Sequence, residues 1–143
     1  MGCTFRSKCP VSSALDVMGD KWSLLIIRDM LFKHKKTFKA FSSSEEGIAT
    51  NILSDRLSKL EEYGIISKGK LPDNKKANIY TLTEKGLELM PVLLELLLWG
   101  DKNIREFNTT MGEHNLVSYR NNKISIIEDL QQNYREETSY NQV

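Results

Sequence analysis

Residues 50–83 read TNILSDRLSKLEEYGIISKGKLPDNKKANIYTLT, and a change of hydrophobic period inside this stretch decides the fold. Leu53, Leu57 and Leu60 recur at i, i+4 and i+7 ahead of Gly64. That is the spacing of an amphipathic helix stopped by a residue that tolerates left-handed backbone. "IISKGK" and "NIYTLT" then read as strands, and Pro72, Asp73 and Asn74 between them favour a turn for distinct backbone reasons. A helix followed by a basic-tipped hairpin is expected.

Outward from this stretch the helical period returns. "VSSALDVMG" places Val11, Leu15 and Met18 at helical spacing and stops at Gly19. "DKWSLLIIRDMLF" continues with Trp22, Leu25, Ile26 and Leu31 behind Asp20, a candidate cap, and "KTFKAFSSS" sets Phe38 and Phe41 three apart in a weaker helix. Downstream, Thr83 is a candidate cap for a long final helix through "EKGLELMPVLLELLLWGDKNIREF", which Pro91 is expected to bend at the loss of one internal hydrogen bond. After Thr109 the pattern weakens, apart from Ile124, Ile127, Leu130 and Tyr134 at helical spacing in "ISIIEDLQQNY". The order predicts a mainly α fold with a small β-hairpin wing (α+β), a winged helix-turn-helix with a long C-terminal dimerisation helix. The expected division is a DNA-binding and dimerisation domain over 1–109 and a partly helical extension over 110–143.

With 143 residues the chain has room for one modest core, and 40% hydrophobic with 27% charged residues are ordinary globular values. "MGCTFRSKCP" lacks the apolar stretch of a secretory signal, "LLELLLWG" is too short to span a bilayer, and the Met1-Gly2 and Cys3 start carries no supporting lipidation context. A cytoplasmic protein that does not engage a membrane is expected. Cys3 and Cys9 are the only cysteines, with no CxxC pair, and His34 and His114 lie far apart, so neither a metal nor a cofactor is expected. Nor does the chain carry a Gly-rich phosphate loop, a Ser-His-Asp set or HExxH, which argues against an enzyme. Net charge is +1, but residues 21–82 hold twelve Lys or Arg against seven Asp or Glu, and residues 83–143 hold six against ten. The basic half is where a nucleic acid would bind.

"CPVSSALDVMGDKWSLLIIRDML", "TFKAF", "GIATNILSDRLSKLEEYGII", "YTLTEKGLELMPVL" and "LWG" together resemble the HxlR-type, MarR-like family of bacterial winged-helix transcription regulators, over residues 9 to about 107. The resemblance implies a homodimer on double-stranded operator DNA, with the first and last helices pairing the subunits. It also implies a place for an N-terminal cysteine as a redox or electrophile sensor, and that place is Cys9.

The residues carry the same reading. With Leu53, Leu57 and Leu60 turned to a core, the opposite side of that helix presents Asn51, Ser54, Asp55, Ser58 and Lys59, suited to hydrogen bonding in a major groove. Thr50 and Arg56 are further DNA-contact candidates on the same helix. A bare polar stripe is otherwise a solvated face; the element order and the family match favour DNA. Asp55 departs from the basic residue common in the family, so it either accepts from a cytosine amino group or is oriented by Arg56 or Lys59. Lys68, Lys70, Asn74, Lys75 and Lys76 decorate the hairpin, where they either contact phosphates or protect an edge strand. Lys36 and Lys39 are further phosphate candidates, and Thr37 a neutral one.

The leucines of the last helix occupy more than one face. Either a second subunit covers them, with Val11, Leu15, Met90, Leu93, Leu94, Leu97, Leu98 and Trp99 at the interface, or the helix around Ile124–Tyr134 folds back on them, or both. Cys9 is then either a sensor thiol, coupled to the dimer through the first helix and able to pair with the partner subunit or with Cys3, or a packing residue. The alternative function is a winged-helix regulator that senses a small apolar ligand and keeps its cysteines for structure.

Overall fold

The computed structural model describes residues 4–140. Met1, Gly2 and Cys3 lie outside them, and with them the lipidation start and the Cys3 pairing. The chain forms two compact units, one ending at Gly86 and the other beginning at Leu87.

The first unit holds α1 (Pro10–Met18), α2 (Ser23–Phe32), α3 (Phe38–Ser42), α4 (Thr50–Glu62), β1 (Ile66–Leu71) and β2 (Asn74–Leu82). Pro10 opens α1 at a position where its missing N–H is not needed. Asp20 organises the entry to α2: its Oδ1 accepts from the backbone N–H groups of Trp22 (2.8 Å) and Ser23 (2.9 Å), and its Oδ2 accepts from Ser23 Oγ (2.6 Å). Thr37 Oγ1 caps α3 by accepting from the Ala40 N–H at 3.1 Å. The stop of α4 is a Schellman motif. Gly64 sits at φ +73°, its N–H donates to Glu61 O (3.0 Å), and the Ile65 N–H donates to Leu60 O (2.9 Å).

The core of this unit gathers Ile27, Met30, Phe41, Ile48, Leu53, Leu57, Leu60 and Ile66, all buried. Phe41 meets Tyr80 edge-on at 6.2 Å, and the Tyr80 N–H donates to Lys36 O at 2.8 Å, so the wing is fastened to the segment leading into α3. The hairpin is antiparallel, pairing Ile66 with Leu82 at its base and Lys70 with Asn78 further out, with an irregularity between Lys70 and Leu71. Its turn is tighter than expected. β2 starts at Asn74, four residues before "NIYTLT", because the irregular step lets Leu71 pair with Asn74 across Pro72-Asp73.

The expected single long helix after Thr83 is in fact two. Thr83 Oγ1 accepts from the Gly86 N–H (3.2 Å) and donates to Gly64 O (2.6 Å), starting a short α5 (Glu84–Leu87). A Cβ at Gly86 would stand 2.3 Å from Ile65 O, so only glycine permits this approach. The main helix, α6 (Met90–Asn103), starts afresh with Pro91 in its first turn. Pro91 therefore does not bend a helix or remove an internal hydrogen bond; it marks a start, where its fixed φ suits the helix.

In the second unit α6 is joined by α7 (Val117–Asn121) and α8 (Lys123–Tyr140). Leu94, Leu98 and Leu116 form its core, with Tyr119 and Ile127 packed against them. Gln131 Nε2 donates to Leu87 O (2.8 Å), Lys123 pairs with Glu95 (2.9 Å), and Asp101 accepts from both Arg105 and Arg120. The extension thus folds back over part of the α6 leucine face. Of the four apolar residues expected on its stripe, Tyr134 is buried, Ile127 and Leu130 are partly buried, and Ile124, in the first turn, is exposed.

Candidate nucleic-acid interface

The core stripe of α4 fixes which of its residues face outward. Leu53, Leu57 and Leu60 are buried, and the period of the helix leaves Thr50, Asn51, Ser54, Asp55 and Ser58 exposed. No residue of this outward row is apolar. Its hydroxyl, amide and carboxylate groups are donors and acceptors of the kind that read base edges.

Two of the sequence candidates on α4 have partners within the chain. Lys59 is partly buried, and its Nζ donates to Asp16 O in the last turn of α1 at 2.9 Å. Arg56 is partly buried as well. Its Nε lies 3.0 Å from Asp20 Oδ1, as an ion pair rather than an aligned hydrogen bond, while its Nη1 donates to Asp55 Oδ2. Burial alone would raise the Asp20 carboxyl, but the Ser23 hydroxyl, the Ser23 and Trp22 N–H groups and Arg56 together hold it down at about 2. Asp20 is charged at every working pH, and so fit to anchor a guanidinium.

The wing lysines are where the sequence reading expects them. Lys68, Lys70, Asn74, Lys75 and Lys76 are exposed, and Asn74 Oδ1 accepts from the Lys76 N–H (3.2 Å), which shapes the tip. Lys36 and Lys39 are also exposed. Thr37 is partly buried, and its oxygen is occupied as the cap of α3, which leaves its hydroxyl hydrogen for any further partner.

Sequence reasoning missed the network that fastens the segment leading into α4. Asp29 is buried on α2. Its Oδ1 accepts from Arg28 Nε (2.9 Å) and Nη2 (2.7 Å), and its Oδ2 accepts from Ser44 Oγ (2.5 Å) and Lys35 Nζ (3.3 Å). Arg28 also grips Glu46 through two parallel bonds of 2.8 Å. The Arg28 hydrogen bonds pull Glu46 down to about 2 against its ordinary 4.5. This network ties α2 to the turn between α3 and α4, and so sets the entry of the outward-facing helix. Its only trace in the sequence is a pair of charges, Arg28-Asp29, inside an apolar run.

The expected interface residues divide in two. Met90, Leu93, Leu94 and Leu98 are buried within the single chain, whereas Val11 (68% exposed), Leu15 (53%), Leu97 and Trp99 (59%) present apolar surface to solvent, as do Val92, Leu96 and Phe107. Cys9 is exposed at the N-cap of α1, where its carbonyl accepts from the Ser13 N–H one turn on (2.9 Å) and its own N–H donates to Ser7 Oγ at 3.2 Å. Arg6, three residues before it, pairs with Asp16 through its Nε at 2.5 Å and its backbone N–H at 3.1 Å. Among the described residues no group of three or more His, Cys, Asp or Glu is placed to hold a metal ion, and no helix is long and apolar enough to cross a membrane.

A family described as HxlR-like helix-turn-helix matches residues 17–108. The HTH-type transcriptional regulator YodB of Bacillus subtilis (strain 168) is 37% identical over 109 residues, covering 76% of this chain and 96% of its own. The solved structure of YodB in its reduced form superposes with a TM-score of 0.55 at 33% identity, over 68% of this chain and 95% of that one. The redox regulator HypR in its reduced form superposes with a TM-score of 0.61 at 31% identity, over 71% of this chain and 99% of that one. YodB has also been solved diamide-treated and quinone-bound, and HypR in its oxidized form. A buried leucine stripe behind a polar α4, a basic two-stranded wing and a match over most of the chain lead to one conclusion: this protein belongs to the HxlR-like helix-turn-helix family of transcriptional regulators.

Proposed function

We propose that this transcriptional regulator binds double-stranded operator DNA as a homodimer, with α4 in the major groove and the hairpin wing along the phosphates, and that thiol oxidants or electrophiles change that binding through Cys9. The observation that carries the reading is the division of α4: three leucines buried on one side, and an uninterrupted polar row exposed on the other. A row of that kind on a wing-flanked helix fits groove readout, with phosphate contacts from Lys36, Lys39, Lys68, Lys70, Lys75 and Lys76 supplying the sequence-independent part of the affinity. The DNA-binding and dimerisation parts would then occupy residues 1–109, with 110–143 as an extension.

The dimer is supported by apolar surface that one chain leaves uncovered. Val11 and Leu15 lie one turn apart on α1, and Val92, Leu96 and Trp99 lie along α6, all exposed. A two-fold contact would use each patch twice and set two α4 helices about a dyad. Sensing is supported by the exposure of Cys9 at the head of α1, the helix that carries part of that apolar surface, and by the oxidised and quinone-bound forms in which the related YodB and HypR have been solved. Two Cys9 thiols of a dimer would lose two hydrogens to diamide and form one S–S bond, altering the angle between subunits.

The test is operator binding by the parent and by Cys9→Ser, with and without diamide or a quinone. Both should bind equally when reduced, and only the parent should respond. A Cys9→Ser protein that responds as the parent does would make Cys9 a packing residue.

A further inference from the structure

The acidic side chain on the outward row of α4 is the one feature that phosphate electrostatics does not explain. Asp55 is exposed and carries a charge of the sign that DNA repels. It is also held in place. Arg56 Nη1 donates to Asp55 Oδ2 while Arg56 Nε faces Asp20 Oδ1 at 3.0 Å, so one guanidinium spans two carboxylates. Asp20 is itself fixed by three hydrogen bonds from Trp22 and Ser23 at the α1–α2 corner. Lys59, the other cation that could have steered Asp55, is occupied by Asp16 O instead. Among the described residues, Asp55 Oδ1 accepts from none.

From this geometry we infer that Asp55 is a specificity-determining residue that accepts a hydrogen bond from the exocyclic amino group of a cytosine in the major groove, and that Asp20 and Arg56 are the residues that position it. The inference rests on the reading of α4 as the helix that enters the groove. A carboxylate only accepts; cytosine offers its N4 donor there, whereas guanine offers two acceptors, thymine an acceptor and a methyl group, and adenine an acceptor beside its amino group. The Arg56 partner offsets the charge of Asp55, which lowers the repulsion from the flanking phosphates, and it leaves one oxygen for the base. Asn51 lies four residues earlier on the same face, about 6 Å along the axis. That separation exceeds the rise of one base pair, roughly 3.4 Å, so the two side chains would read distinct pairs.

The experiment is selection of binding sites from a random duplex pool by the full chain, the parent beside Asp55→Ala and Arg56→Lys, with affinity for a non-cognate duplex and the melting temperature measured for each. The parent should enrich a motif with a cytosine at one position per half-site. Asp55→Ala should lose preference at that position alone, with discrimination falling roughly tenfold, while melting and non-cognate binding stay near the parent's. Arg56→Lys keeps the charge but cannot span two carboxylates, and should weaken the same preference without creating another. If Asp55→Ala enriches the parent's motif unchanged, with or without a general gain in affinity, Asp55 is only a repelling charge and the inference is overturned. A parent that enriches no motif would overturn the groove reading of α4 and the inference with it.

Discussion

Lys75→Ala and Lys76→Ala test the wing quantitatively. Both lysines are exposed on β2, and as neighbours on a strand they point to opposite faces of the hairpin. A wing lying flat on one strand of DNA would present only one of them to phosphate; a tip seated between two backbones presents both. Phosphate contacts from both lysines require the second arrangement, in which each substitution removes one contact and flattens the slope of log affinity against log salt by about 0.9, and the double variant by about 1.8. Between 50 and 200 mM salt, the parent should then lose roughly twelve-fold more affinity than the double variant. The assay is a salt titration of binding to a cognate and a scrambled duplex, followed by fluorescence anisotropy. Specificity, the ratio of the two affinities, should not change, because the tip contacts carry no base information. A slope for the double variant equal to the parent's would remove the wing from the DNA, and a change confined to one single variant would refute the seated tip.

Asn51→Ala and Ser54→Ala should cost roughly 1–3 kcal/mol on the cognate duplex and far less on a scrambled one, measured in the same anisotropy assay; equal losses on both would make these residues backbone contacts. Acid stability should report on Asp20. Its folded carboxyl sits at about 2 against 3.8 unperturbed, so its stabilisation is complete above the unperturbed value and is lost as pH falls through about 2. Asp20→Asn should therefore cost about 2 kcal/mol in urea unfolding at pH 7, and the difference from the parent should vanish near pH 2. A pH-independent difference would assign the effect to the cap geometry rather than the charge.

The elements legible in the sequence are those whose apolar residues keep one period. Leu53, Leu57 and Leu60 mark α4, and Gly64 marks its end, because local spacing and a single left-handed residue determine them. The break at Leu89 was not legible. "EKGLELMPVLLELLLWG" is periodic throughout, and whether Pro91 bends a helix or begins one depends on where the preceding turn closes, which Thr83 and Gly86 settle by their approach to Gly64 and Ile65. α7 escaped notice because five residues, Val117–Asn121, are too few to show a period. At the candidate interface, exposure of the wing lysines and of Asn51, Ser54 and Ser58 followed from pattern alone. The roles of Arg56 and Lys59 did not: their partners Asp20 and Asp16 are 36 and 43 residues away, and pairing at that distance is a property of the packed helices.

The most direct test of the central claim is a footprint of the protein on the DNA upstream of its own gene. A homodimer that seats two α4 helices in successive major grooves should protect two half-sites related by a dyad, with centres one helical turn, about 10 bp, or a whole multiple of it apart. Sedimentation under the same conditions should give twice the chain's 16.4 kDa. A single unpaired protection, made by a protein that sediments as a monomer, would contradict the account.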